Sequence, residues 1–144
     1  RLAEYLRDHP ETNFFHFNVD LAQGPCVIKR LRGCGAGCEY VAITPEGDIY
    51  PCHQFVGNED YKLGSLYDGT FDKELSGRFA GLNIYTREEC KDCWARFYCS
   101  GGCSASNLLV NGDIKKPHRV GCELERKRLE CAIALRAIAA GMAE

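Results

Sequence analysis

The sequence predicts an α+β fold, with a small β-hairpin, a few further short strands, several helices and a long C-terminal helix. Three observations predict it. Apolar residues alternate on either side of the turn Thr44-Pro45-Glu46-Gly47-Asp48, the chain closes on a helical period from about Glu123 to Ala140, and eight of its ten cysteines fall between Cys34 and Cys122. Four of those lie in Cys90-Lys-Asp-Cys93-Trp-Ala-Arg-Phe-Tyr-Cys99-Ser-Gly-Gly-Cys103, spaced by two, five and three residues. Thiolates this dense repel one another unless a positive centre sits between them. A metal binds the deprotonated form and offsets the ordering of the loop, so helices and strands are expected to be organised around two cysteine-ligated metal centres.

In chain order, Arg1 to His9 has Leu2, Tyr5 and Leu6 at helical spacing and stops at His9-Pro10. Asn13 to Val19 is aromatic-rich and reads as a strand, with His16 a half-buried strand histidine rather than a ligand. Asp20 to Lys29 reads as a linker turning at Gly24-Pro25. Residues 1–25 are therefore expected to be the end of a preceding α/β domain plus a linker, and residues 26–144 the principal domain. Glycines beside Cys34 and Cys38 let the backbone approach a bulky inorganic core and aim amides at its sulfurs.

Tyr40 to Thr44 and Ile49 to Cys52 form the hairpin, which returns Cys52 beside Cys34 and Cys38. Tyr61 to Tyr67 supplies another strand before an Asp68-Gly69 turn, and Leu75 to Leu82 a short helix. Ser104 to Val110 is a helix stopped by Asn111-Gly112. In the last helix Leu124, Cys131, Leu135 and Ile138 share a face, and the charged run Glu125 to Arg128 reads as a solvated one. Cys131 there is a core thiol and Cys26 stays unassigned. His53, after Cys52, is either an exposed polar residue or a contact near the site.

With 20 Asp+Glu against 18 Lys+Arg there is no basic field for nucleic acid. No apolar run approaches membrane-spanning length, so no membrane partner is expected either. All-cysteine sites suit zinc or iron–sulfur clusters, but zinc modules usually pair two short Cys-x2-Cys units per site, and here only Cys90 and Cys93 make one. The longer gaps and flanking glycines favour iron–sulfur.

The whole pattern, Cys34…Gly47-x4-Cys52, then Cys90-x2-Cys93-x5-Cys99-x3-Cys103, then Cys122, resembles the SPASM domain of radical S-adenosylmethionine enzymes. Gly35 to Gly57 is more narrowly similar to peptide maturases of six-cysteine (SCIFF-type) precursors, which join a cysteine sulfur to a residue carbon as a thioether. The resemblance implies two auxiliary [4Fe–4S] clusters, the first on Cys34, Cys52 and Cys103 and the second on Cys90, Cys93, Cys99 and Cys122. Cys38 is available as a fourth ligand to the first. If it does not bind, one iron is open to a substrate thiolate, and the twelve residues from Cys34 to Gly47 fit the family pattern better than the eight from Cys38.

The family's radical-generating site needs Cys-x3-Cys-x2-Cys. Here Cys99-x3-Cys103 is followed at that spacing by Ser106, and Cys34-x3-Cys38 by Val41. S-adenosylmethionine and a third cluster are thus expected in a preceding domain, and this chain is expected to be inactive alone. The expected partners are a cysteine-rich precursor peptide and the remainder of the enzyme, in the cytoplasm, where thiols stay reduced. A metal-stapled peptide-docking module and a zinc-binding interaction domain are the alternatives.

Overall fold

The structure, a computed structural model, describes residues 1–22 and 26–141, so the turn expected at Gly24-Pro25 lies outside the described residues. The hairpin forms where Pro45 and Gly47 direct it. The Gly47 amide donates to the Thr44 carbonyl at 2.9 Å, and β1 (Ala42–Ile43) pairs antiparallel with β2 (Asp48–Tyr50), Ile43 opposite Ile49 and Ala42 opposite Tyr50. Two more antiparallel strands, β3 (Gly64–Ser65) and β4 (Thr70–Phe71), complete a sheet of order β1-β2-β3-β4. The strand expected over Tyr61 to Tyr67 is cut to two residues, because Asn58 accepts from the Asp60 amide and winds Glu59–Tyr61 into a 3-10 turn. β4, which follows the Asp68-Gly69 turn, is too short to show alternation in the sequence.

The sheet packs against α3 (Lys73–Ala80) and α5 (Ser104–Asn111) over a core that includes Ile49, Phe55, Leu63, Leu75, Phe79 and Ile114. Phe55 and Phe79 meet edge to face at 5.4 Å between ring centroids. Asp72 caps α3, its carboxylate accepting from the Leu75 amide at 2.8 Å. Gly112, in the left-handed conformation, ends α5 as expected. α1 (Leu2–Asp8) packs on α6 (Arg119–Ala139), a helix that starts four residues earlier than expected. No helix among the described residues is long and apolar enough to cross a membrane.

Several sequence expectations are corrected. Asn13 to Val19 is not a strand: Phe15–Phe17 winds into a 3-10 turn, and Phe14 packs edge to face on Phe17 at 4.9 Å. Aromatic residues favour strands only where a neighbouring strand can be paired, and here the segment lies against α6, with the Arg128 Nε donating to the His16 carbonyl at 2.6 Å. His16 is consequently exposed, not half-buried. The Asp20 to Lys29 linker ends earlier than expected, since α2 (Val27–Arg32) begins inside it. Leu124 is also exposed, and Leu129 and Ala132 are the buried residues of α6.

Candidate metal centre

Three elements bring four thiols to one narrow pocket. Cys90 closes the 3-10 turn Glu88–Cys90 and Cys93 follows it, the Cys93 amide donating to the Cys90 carbonyl at 3.2 Å. Cys99 ends the short α4 (Arg96–Cys99), and the early start of α6 puts Cys122 in that helix's first turns. Cys90, Cys93, Cys99 and Cys122 all line this pocket, together with Arg96 and Gly101. All ten cysteines are unpaired, so no disulfide competes for them.

The loop that delivers Cys122 is held by side chains of α5 and of the turn before Cys90. The buried Asn107 accepts from the His118 amide at 2.9 Å, and Asn111 donates to the Lys116 and Pro117 carbonyls at 2.9 and 3.1 Å. Arg87, 3 % exposed, donates through Nη1 to the Ile114 and Lys115 carbonyls at 2.6 and 3.0 Å, and through Nη2 to the Ser104 hydroxyl at 3.0 Å.

The pocket's electrostatics follow from this crowding. Burial pushes the Cys90 thiol up to about 11; Arg87 pulls it back, while the sulfurs of Cys99, Cys122 and Cys93 push it further up. Burial likewise raises Cys99, against which the Gly101 and Gly102 amides pull down by donating to its sulfur. Burial also raises Cys122, with Arg126 opposing. Glu125 and Arg126, expected on a solvated face, are half-buried and line the pocket. A helix that carries Cys122 inward carries its neighbours one turn on as well.

The other cysteines gather less tightly. Tyr40, just before β1, reaches the Cys34 sulfur with its hydroxyl at 4.0 Å and also lies beside the Cys52 sulfur. Burial of that hydroxyl, then the Cys34 and Cys52 sulfurs, push Tyr40 up to about 12, so it stays a donor although 43 % of the residue is exposed. The Cys38 thiol donates to the Gly35 carbonyl at 3.4 Å; burial first, then Glu39, push it up, and the Cys34 sulfur adds to this. Of the glycine amides expected to aim at a metal core here, Gly37's is spent on the Tyr40 and Pro51 carbonyls. Gly37 serves the fold instead, because a Cβ there would sit 2.8 Å from the Phe79 ring. The Ser76 hydroxyl holds the same loop by donating to the Gly37 carbonyl at 2.7 Å.

Cys103, exposed at the start of α5, lines a second pocket of about 320 Å³ with Cys99, Cys122, Ser106 and His118. Gly33, next to Cys34, packs on the turn after α4, where a Cβ would stand 3.5 Å from the Cβ and the carbonyl oxygen of Ser100. Cys26 is exposed at the start of α2, and Cys131 is half-buried rather than buried. Sequence reasoning missed Tyr40 and Arg87. The expected hairpin register would have found the first, while nothing local marks the second.

The donor set fits a polynuclear iron–sulfur group. Cys90, Cys93, Cys99 and Cys122 ring one pocket, an all-thiolate set of the kind that holds iron–sulfur groups. Two buried side-chain nitrogens among the described residues lack a hydrogen-bond partner, Arg87 Nε and Arg96 Nε, and both belong to arginines beside this pocket. Anionic sulfur is the acceptor such donors want.

Comparison with known proteins points the same way. A family model for the SPASM domain, described as an iron–sulfur cluster-binding domain, matches residues 34–94. The chain is 31% identical over 111 residues to mycofactocin maturase MftC of Mycobacterium ulcerans, covering 73% of this chain and 29% of that protein. It is 28% identical over 102 residues to the PqqA peptide cyclase of Xanthomonas axonopodis, covering 66% and 27%. It is also 28% identical over 85 residues to a serine-type anaerobic sulfatase-maturating enzyme of Klebsiella aerogenes, covering 57% and 20%. The chain thus spans about a quarter of the length of the curated relatives it matches. With its cysteine pattern, its thiol-lined pocket and this match in agreement, the chain belongs, over residues 34–94, to the SPASM family of iron–sulfur cluster-binding domains.

Proposed function

We propose that this chain is the auxiliary-cluster part of a radical S-adenosylmethionine enzyme that forms thioether crosslinks in a cysteine-rich, ribosomally made peptide. The observation that carries the reading is the single pocket lined by Cys90, Cys93, Cys99 and Cys122, drawn from three elements. In this reading those four hold one [4Fe–4S] cluster, and Cys34, Cys52 and Cys103 hold another. When bound, such groups supply an iron that takes a substrate thiolate and a sink for the electron released as the C–S bond closes.

The protein's own residues do the rest. Cys38, bonded to its own turn, leaves the fourth position of the first set to a peptide cysteine. Tyr40 keeps its proton and donates toward Cys34 and Cys52, while the Gly101 and Gly102 amides steady the Cys99 sulfur. In this reading S-adenosylmethionine and a third cluster belong to another part of the enzyme, since the residues of this chain include no Cys-x3-Cys-x2-Cys. Relatives named as a peptide cyclase and as maturases support a peptide or protein substrate. Ten unpaired thiols support a reducing cytoplasm.

Iron and sulfide counting on anaerobically prepared protein tests this. The expected result is about four of each per cluster, with the Cys90→Ser variant losing one cluster and Cys38→Ala losing none. A precursor peptide with its cysteine intact is expected to shift the first cluster's spectrum, and the same peptide with serine in its place is not. Zinc without sulfide, or loss of a cluster in Cys38→Ala, refutes the corresponding part.

A further inference from the structure

Arg87 is buried, 3 % exposed, beside the thiol pocket. Its Nη atoms are satisfied by Ile114, Lys115 and Ser104, yet Nε, equally buried, has no acceptor. That nitrogen faces Gly101: a Cβ on Gly101 would stand 2.9 Å from both Cδ and Nε of Arg87. Gly101 in turn lines the pocket of Cys90, Cys93, Cys99 and Cys122. A side chain on residue 101 would crowd Arg87 at Cδ and Nε, and the positive φ of 86° makes glycine the natural occupant. Burial pulls Arg87 down, while Cys90, then the Asp113 carboxylate, then Cys99 and Cys103 pull it up, so its charge reaches sulfurs of both proposed sets.

We infer that Arg87 is a positioning residue that tunes redox behaviour: past Gly101 its Nε–H donates to the sulfur of the cluster held by Cys90, Cys93, Cys99 and Cys122, and its fixed positive charge raises that cluster's reduction potential. The inference rests on the cluster-binding reading above. Reduction adds one electron to the cluster, so a neighbouring cation and a donor to sulfur both favour the reduced form. Burial strengthens each effect, since little water screens the charge.

The test is a redox titration of the full chain, loaded with iron and sulfide, comparing wild type with Arg87→Gln and Arg87→Lys. In the Arg87→Gln molecules that load iron and sulfide, the oxidised-to-reduced ratio at fixed potential is expected to rise at least tenfold, a midpoint lower by 59 mV or more for one electron. Arg87→Lys, which keeps the charge but loses the fork, is expected to fall between the two. If Arg87→Gln does not fold or does not load, the wild type decides the matter: pulsed EPR of the reduced cluster in protein labelled with 15N-arginine is expected to show a coupled nitrogen that persists in Arg96→Gln. An unchanged midpoint in loaded Arg87→Gln, or no coupled nitrogen, overturns this inference alone. Wild type that binds no iron and sulfide overturns the function reading and this inference with it.

Discussion

Gly37→Ala separates what the turn before β1 owes to backbone conformation from what it owes to close packing. Gly37 has φ +80°, and a Cβ there would meet the Phe79 Cγ at 2.8 Å and Cβ at 3.0 Å, both in the core. Gly57 has nearly the same φ, +84°, with nothing within 4 Å. A left-handed non-glycine residue costs about 1–2 kcal/mol, and Gly57→Ala is expected to show that cost alone. Gly37→Ala adds an overpacking term of about 1–3 kcal/mol, for a total of about 2–5 kcal/mol. Urea or thermal unfolding of both variants reads the difference directly. Because Ser76 also grips Gly37, the shift is expected to pull Cys34 away from Cys52, so Gly37→Ala also loses iron that Gly57→Ala retains. Equal destabilisation by the two substitutions would refute the packing argument.

Further expectations follow from the same geometry. Phe55→Ala empties a site that is 2 % exposed and should cost about 3–5 kcal/mol of stability by denaturant titration. Asp72→Ala removes the cap of α3 and should cost about 1 kcal/mol, while Asp72→Asn should cost less. A double-mutant cycle on Lys62 and Asp48, whose charged atoms lie 2.7 Å apart on partly exposed side chains, should return a coupling of about 0.2–1 kcal/mol that shrinks in high salt. Cys131→Ser should leave iron and sulfide content unchanged, whereas Cys122→Ser should lower both.

The hairpin, the short α3, the Gly112 stop and the long last helix were legible because each depends on local chemistry: turn residues, periodicity and a left-handed cap. The gathering of Cys90, Cys93 and Cys99 was legible from density alone. What was hidden depends on distant partners. Phe14 to Phe17 has strand composition but pairs with no strand, and α6 holds it instead. The early start of α6 turns on Asn107 and Asn111 gripping a loop several residues downstream, which leaves no periodic trace. Arg87 appears in the sequence as one more charge, and only burial gives it a role.

The placement of Cys122 has a consequence for how the protein matures in the cell. Synthesis releases the chain from its N-terminus, so Cys90, Cys93 and Cys99 emerge while their fourth companion, 23 residues behind Cys99, is still to be translated. At about 5–20 residues per second that interval lasts on the order of one to five seconds. Three unguarded thiols then wait for a helix that does not yet exist. In the reading proposed above, the delay favours loading by delivery machinery after the ribosome has let go, and a chain cut upstream of α6 is expected to hold less iron and sulfide.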